Sequence, residues 1–195
     1  MLASITPLGE RARHAKWPAT AAVYVLGTVA GGAALAALAG LAGSVVLGSA
    51  ALRLRVALVG VALAVGLAVE LARGSVPGPR RQVNEQWLGR YRSWVYGLGF
   101  GVQLGAGVTT VVVTSAVYVV PVAAFASASW ETGAAIGAVA GALRGATVLA
   151  SGWITTPERL MRFHDRVRAW QRPVRAIVLL TQLAFAALAI LLVLT

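Results

Sequence analysis

The chain contains no cysteine, which excludes disulfide bonds, thiolate metal ligands and thiol redox chemistry. Acidic residues are scarce as well, since six Asp and Glu stand against 17 Lys and Arg, and Asp165 is the only aspartate. The two histidines, His14 and His164, lie in basic segments, and no group of His and carboxylates has the spacing of a metal site or an acid–base pair. We therefore predict a protein that is not an enzyme and that holds no metal or other cofactor.

Apolar residues dominate what is present. Hydrophobic residues make up 58% of the 195 positions and charged residues only 12%. Crossing the apolar core of a bilayer takes roughly 20 residues of helix, and five runs meet that length. They cover residues 19–47, 54–73, 95–125, 132–151 and 174–194. The first run is too long for the apolar region of a signal peptide, so we expect a retained signal anchor. The sequence predicts an all-α, polytopic transmembrane bundle of about five spans.

The sequence also repeats itself at an offset of about 78 residues: Leu26-Gly27 recurs as Leu104-Gly105, and Pro79 recurs as Pro157. A short basic motif precedes an apolar run three times, at residues 11–17, 90–94 and 166–170. Internal repeats are a common way to build membrane bundles. We predict one integral membrane domain over residues 1–195. It consists of a duplicated two-span unit and a fifth helix, with repeat 1 at about 17–94, repeat 2 at about 95–172 and the final span at 173–195.

The basic residues predict orientation and surroundings. Most of them lie before the first run and in the loops after the second and fourth runs, whereas only Arg53 and Arg55 lie after the first. By the positive-inside rule, the N-terminus is cytoplasmic and the C-terminus is outside. An Arg-rich chain with a single lysine, Lys16, and abundant Ala, Gly and Val is typical of a high-GC bacterium, so we expect the inner membrane. Since the charges lie in short loops, their expected partners are anionic lipid headgroups and not nucleic acid.

Two loop segments on the cytoplasmic side have apolar residues at helical spacing between basic ones. They cover residues 79–94 and about 156–174. The second begins with Thr156-Pro157-Glu158, which resembles a helix start. We predict interfacial amphipathic helices that lie along the inner leaflet. The residues expected at the lipid interface are Arg80, Arg81, Trp87, Arg90, Trp94, Arg159, Arg162, Arg166 and Trp170. A docking surface for a cytoplasmic partner is the alternative interpretation.

The third apolar run is the most polar of the five. Gln103, Thr110, Thr114 and Tyr118 recur at near-helical spacing, and Pro121 is expected to kink the outer half of the span. Such a stripe is typical of residues that line a solvated pathway. It is equally typical of closely packed membrane helices, which are rich in small and hydroxyl residues, so both interpretations stay open.

Two charges fall inside apolar runs, Glu70 in the second and Arg144 in the fourth. A charged side chain at the centre of a bilayer costs at least about 2.5 kcal/mol, so each needs a partner or access to water. We expect Arg144 and Glu70 to line the pathway, either as an ion pair or with Arg144 reaching the interface alone.

Three segments carry a family resemblance. Residues 80–88, 90–97 and 99–110, together with the opening Thr6-Pro-Leu-Gly-Glu-Arg11, resemble an uncharacterised family of small polytopic membrane proteins from actinobacteria. That resemblance covers most of the chain and implies no activity. A weaker likeness is to the CcdA and DsbD type of cytochrome c biogenesis proteins. Thr109 and Thr110 stand where those proteins have Pro and Cys, so the likeness does not extend to their dithiol relay.

The sequence thus predicts an integral membrane protein that binds or transports a small solute or ion. The alternative is a non-catalytic membrane subunit or scaffold that contacts a membrane-protein partner or a second copy of itself.

Overall fold

A computed structural model describes residues 5–73, 86–107 and 114–194, and this part of the chain forms helices and no strands. The all-α prediction is confirmed to that extent. The helices are α1 (Pro7–Ala12), α2 (Trp17–Leu47), α3 (Leu52–Arg73), α4 (Gln86–Arg90), α5 (Ser93–Ala106), α6 (Ala116–Ser127), α7 (Trp130–Ala146) and α8 (Pro157–Leu194). A short 3-10 segment, Thr147–Ser151, follows α7.

Four of these helical segments are long and apolar enough to cross a membrane. They are α2, α3, α7 with the 3-10 segment, and α8. Much of their apolar surface is exposed, with Val45 82% and Leu180 65% exposed. Helices that are apolar on every face are expected where lipid is the solvent. α6 is equally apolar but has only 12 residues, about 18 Å at 1.5 Å per residue. The count of five spans stays a prediction.

The helices divide into two compact units, each built from three separate stretches of chain. Unit 1 comprises residues 1–32, 81–110 and 138–171, and unit 2 comprises 33–80, 111–137 and 172–195. α2, α7 and α8 each contribute one part to each unit. These boundaries do not follow the predicted repeats, and the duplication itself stays a prediction.

The predicted third span is interrupted. α5 ends before Gly107, which adopts a left-handed conformation with φ of 69° and donates its N–H to Leu104 O at 3.1 Å. A new helix begins at Ala116. Pro121, which was expected to kink the span, lies inside α6. The prediction of one continuous helix is wrong, because a left-handed residue cannot continue a right-handed helix.

The two predicted interfacial helices also differ from the structure. Residues 79–85 of the first lie outside the described part of the chain, and the remainder forms α4 and the start of α5, separated at Tyr91 and Arg92. The second is the beginning of the 38-residue α8, which continues through Pro173. Its predicted start is confirmed, since Thr156 Oγ1 accepts a hydrogen bond from Arg159 N at 3.4 Å.

Glycines bring the backbones of α2 and α5 into direct contact in unit 1. A side-chain carbon built on Gly101 would meet the backbone of Tyr24 and Gly27, and one on Gly105 would meet Thr28 and Gly32. Such close approach is how small residues hold membrane helices together. These glycines of the third run therefore serve packing.

We expect Gly105→Val to destabilise the protein, because the added carbons would collide with the Thr28 backbone of α2, which cannot move aside as a side chain could. Overpacking of this kind costs about 1–3 kcal/mol or more. Ala22→Val, which adds the same kind of bulk at an exposed position of α2, is the matched control. Melting temperatures of the purified protein in detergent compare the two; equal values would contradict the packing.

Candidate functional site

Glu70 lies in the last turn of α3, in unit 2, and is only 1% exposed. Apart from Arg53, Arg55 and Arg73, that helix is almost wholly apolar, and the described partners of the carboxylate lie outside this helix. Burying an ionised carboxylate is costly unless hydrogen bonds or an opposite charge compensate. The partners come from α8 and from the start of α6, which packs against α3.

The residues at the start of α6 surround one oxygen of this carboxylate. Glu70 Oε2 accepts hydrogen bonds from Ser115 N at 3.0 Å, Ser115 Oγ at 2.9 Å and Thr114 Oγ1 at 3.1 Å. The first N–H groups of a helix have no acceptor within the helix, and its N-terminus carries a partial positive charge. Glu70 therefore caps α6 from a different helix.

α8 completes the centre with one amide and one cation. Gln182 Oε1 lies 3.1 Å from Ser115 Oγ, whose one proton is shared between this oxygen and Glu70 Oε2, and Gln182 Nε2 donates to Thr114 Oγ1 at 3.3 Å. Arg175 Nε lies 3.8 Å from Glu70 Oε1, and its Nη2 donates to the Glu70 carbonyl at 3.3 Å. Oε1 itself is buried and has no hydrogen-bond partner in the described part of the chain. We call these five residues, Glu70, Thr114, Ser115, Arg175 and Gln182, the Glu70 centre.

Arg144, in unit 1, lies at the C-terminal end of α5. Its Nη1 donates to Leu104 O at 3.2 Å, the same carbonyl that accepts the Gly107 N–H. A cation at a helix C-terminus is favourable, because the last carbonyls carry partial negative charge. In unit 1 a cation thus lies at the end of α5, and in unit 2 an anion lies at the start of α6.

The predicted pairing of Arg144 with Glu70 stays a prediction. The partners described for each residue lie within its own unit: Leu104 for Arg144, and Arg175, Thr114 and Ser115 for Glu70.

The other predicted pathway residues do not share one helix. Gln103 is half-buried on α5, Thr114 belongs to the Glu70 centre, and Tyr118 is 43% exposed on α6. Thr110 lies outside the described residues. The prediction of a single polar stripe along one continuous helix is therefore wrong. Of these four residues, Thr114 is the one that the structure places in contact with Glu70.

The predicted lipid-interface residues fall into two groups. Trp87 is half-buried and stacks on Phe100 with ring centroids 6.0 Å apart, as part of the core of unit 1. The exposed ones are Arg90, Trp94, Arg159, Arg162, Arg166 and Trp170. Arg80 and Arg81 lie outside the described part of the chain. Their contact with lipid stays a prediction.

A second buried carboxylate, Glu10, organises the start of unit 1. It is fully buried and accepts hydrogen bonds from Thr20 Oγ1 at 2.8 Å and from Tyr96 OH at 2.7 and 2.8 Å. Arg13 Nη2 bonds to it, and the Arg13 guanidinium lies 5.6 Å from the Tyr96 ring centre. Partial burial by itself would lower the pKa of Arg13. The hydrogen bonds with Glu10 and Tyr96 outweigh this effect, so the pKa lies above its ordinary value.

The sequence analysis missed four residues of these centres: Ser115, Arg175, Gln182 and Glu10. Gln182 had a usable signal, since it is one of few polar side chains in residues 174–194. Arg175 was counted with the cytoplasmic charges, and Glu10 was noted only within the opening motif. None of these sequence features indicates which helix supplies the hydrogen-bond partner of each residue.

No family model, curated protein or solved structure matches the chain. The resemblances noted from the sequence therefore stay predictions. Among the described residues, no group of three or more His, Cys, Asp and Glu could hold a metal ion.

We expect Glu70→Ala to destabilise the protein, because the Ser115 N–H would lose its acceptor and the Arg175 guanidinium would lose the nearby negative charge. Leaving buried donors unpaired costs about 1–3 kcal/mol. Glu70→Gln should cost less, since an amide oxygen still accepts the Ser115 N–H.

Thermal unfolding in detergent measures both, with Glu131→Ala, an exposed acid in the first turn of α7, as the control expected to cost less than about 1 kcal/mol. A Glu70→Ala variant as stable as that control would show that the centre contributes nothing.

Proposed function

We propose that the protein binds a small solute or ion within the bilayer and moves it across, and that the Glu70 centre is the place of binding. The main support for this proposal is Glu70, whose carboxylate is only 1% exposed although it lies on a helix long enough to cross a membrane. The start of another helix, α6, holds this carboxylate through the Ser115 N–H. Ionisable residues within apolar spans are expensive to bury and usually mark ion or substrate routes.

The chemistry of the centre favours an ion that oxygen atoms bind. A carboxylate oxygen without a hydrogen bond, two hydroxyls and an amide oxygen lie together, and Arg175 balances the charge of Glu70. A proton or a small cation that binds Glu70 would weaken its attraction to Arg175. Such competition gives the centre two states, one in which Glu70 pairs with Arg175 and one in which Glu70 binds the proton or cation.

The interrupted helix supports the same proposal. Many transporters place their binding sites where discontinuous helices expose backbone groups inside the membrane, with the termini directed at charged groups. Here the α6 terminus holds a carboxylate of the protein and the α5 terminus holds Arg144. The Glu70 carboxylate is the charge that a mobile cation would meet in unit 2.

We further propose that the function is not enzymatic and that the protein belongs to a bacterial inner membrane. The N-terminus would be cytoplasmic and the C-terminus outside. The asymmetric distribution of arginine supports this orientation. The likeness to the small actinobacterial membrane proteins fits the same setting.

A scaffold or subunit role is the second candidate, and the first part of α8 favours it. Met161, Val167 and Trp170 are 63, 44 and 62% exposed, between exposed arginines. An apolar stripe with flanking cations would suit either the inner leaflet or the surface of a membrane-protein partner.

Cysteine labelling distinguishes the two roles, because the natural chain has no cysteine to remove. Single cysteines replace Gln103, Thr114 and, as a control, Ala124, which is 0% exposed in apolar α6. Transport predicts that a membrane-impermeant thiol reagent modifies the Thr114→Cys and Gln103→Cys variants at least about tenfold faster than the Ala124→Cys variant, because thiol reactivity follows exposure to water. Equal, negligible rates at all three positions would contradict a pathway and favour the scaffold.

A further inference from the structure

A basic pocket lies at the start of unit 1, where the first two copies of the duplicated basic motif meet. It has a volume of about 330 Å³. Arg13 and His14 come from the segment before α2, Arg92 comes from the segment before α5, and Ser93 is the first residue of α5. The second arginine of each motif, Arg13 and Arg92, therefore lines the same cavity.

The cations of this pocket are differently held. Arg13 is half-buried and fixed by the fully buried Glu10 carboxylate, which also offsets its charge. Arg92 and His14 are exposed and also line the pocket. With one arginine balanced by Glu10, the charge of Arg92 remains to attract an anion.

The start of α5 adds backbone donors to the pocket. Arg92 is the N-cap residue, and no side chain caps the helix in the described part of the chain. Ser93 and Trp94, the first two residues of this 14-residue helix, line the cavity. First-turn N–H groups without acceptors, next to arginines, are a usual binding place for phosphate.

The turn that ends α1 carries His14 to the same place. Its φ of 55° is left-handed, as is usual for the residue that follows a helix C-cap. The His14 N–H bonds to Arg11 O and the Ala15 N–H bonds to Glu10 O, the usual pattern of a helix end. Arg13, His14 and Ala15 of this turn all line the cavity.

We infer that this pocket binds a phosphate group, carried either by a free phosphate anion or by the headgroup of an anionic lipid. The inference does not rest on the proposed role of the Glu70 centre. Arg92 and the α5 terminus would bind the phosphate oxygens, while Tyr91 and Trp94 form the aromatic wall of the pocket.

The test uses the full chain in an uncharged detergent. In one arm, inorganic phosphate is titrated and its dissociation constant is measured by calorimetry. In the other, native mass spectrometry counts bound short-chain phosphatidylglycerol against phosphatidylcholine. Arg92→Gln is the variant, and Arg90→Gln is the matched control, since Arg90 is an exposed arginine of the same motif that does not line the pocket.

We expect Arg92→Gln to weaken binding about tenfold or more while Arg90→Gln leaves it within about twofold, because a charge-assisted hydrogen bond is lost only in the first. If Arg92→Gln weakens the binding of inorganic phosphate, the ligand is a free anion. If it weakens only the binding of phosphatidylglycerol, the ligand is a lipid headgroup. Equal affinities of the two variants in both arms would overturn the inference.

A second variant tests the helix terminus without disturbing the fold. Ser93 is the first residue of α5, where proline is well tolerated, and Arg92 before it is already extended at ψ of 152°. Ser93→Pro removes one N–H donor, and we expect about fivefold weaker binding than in Ser93→Ala. Equal binding by these two variants would show that the terminus does not hold the anion.

Discussion

A charged side chain inside an apolar helix must be compensated within the protein, and Glu70 is compensated by the free N–H end of α6. The same hydrogen bonds satisfy both groups, because a short apolar helix that begins inside a bundle also has donors without acceptors. α3, α6 and α8 depend on each other through this contact, since Ser115 bonds to Glu70 on one side and to Gln182 on the other. At the end of α5 the groups without partners are carbonyls, and the Arg144 guanidinium donates to one of them, Leu104 O.

Each of the two units combines a buried carboxylate with close backbone contacts at glycines, which in unit 2 include Gly43 against Phe125. In unit 1, Gly101 and Gly105 let the backbones of α2 and α5 touch, and the Glu10 carboxylate joins α1 to both helices through Thr20 and Tyr96. Lipid offers little hydrophobic force between helices, so close packing and polar contacts provide it. Unit 1 also contains the basic pocket, whose Arg13 is fixed by Glu10.

Composition and hydrophobic run length predicted the helical class and the long apolar helices, because burying a backbone in lipid leaves few alternatives. They also singled out Glu70, Thr114 and Arg144, since polar groups in apolar runs are conspicuous. The interruption of the third run was not predicted. Its signal was Gly107 followed by β-branched residues from 108 to 114, which have lower helix propensity than Ala or Leu, but the prediction relied on Pro121.

The partners of these polar residues could not be predicted for a different reason. Arg175 and Gln182 lie more than 100 positions after Glu70, and only helix packing brings them together. Periodicity reports which face of a helix is polar, not which helix that face meets. The same reason explains Glu10, whose partners Thr20 and Tyr96 belong to different helices.

The most direct test of the account is a double-mutant cycle between Glu70 and Ser115. Thermal unfolding of Glu70→Ala, Ser115→Ala and the double variant yields the coupling between the two side chains. If the carboxylate holds the start of α6 through the Ser115 hydroxyl as well as the Ser115 N–H, the two changes should be less than additive, with a coupling of at least about 1 kcal/mol. Strictly additive losses would mean that the carboxylate and the hydroxyl act independently, and would contradict the claim that this contact joins α3 to α6.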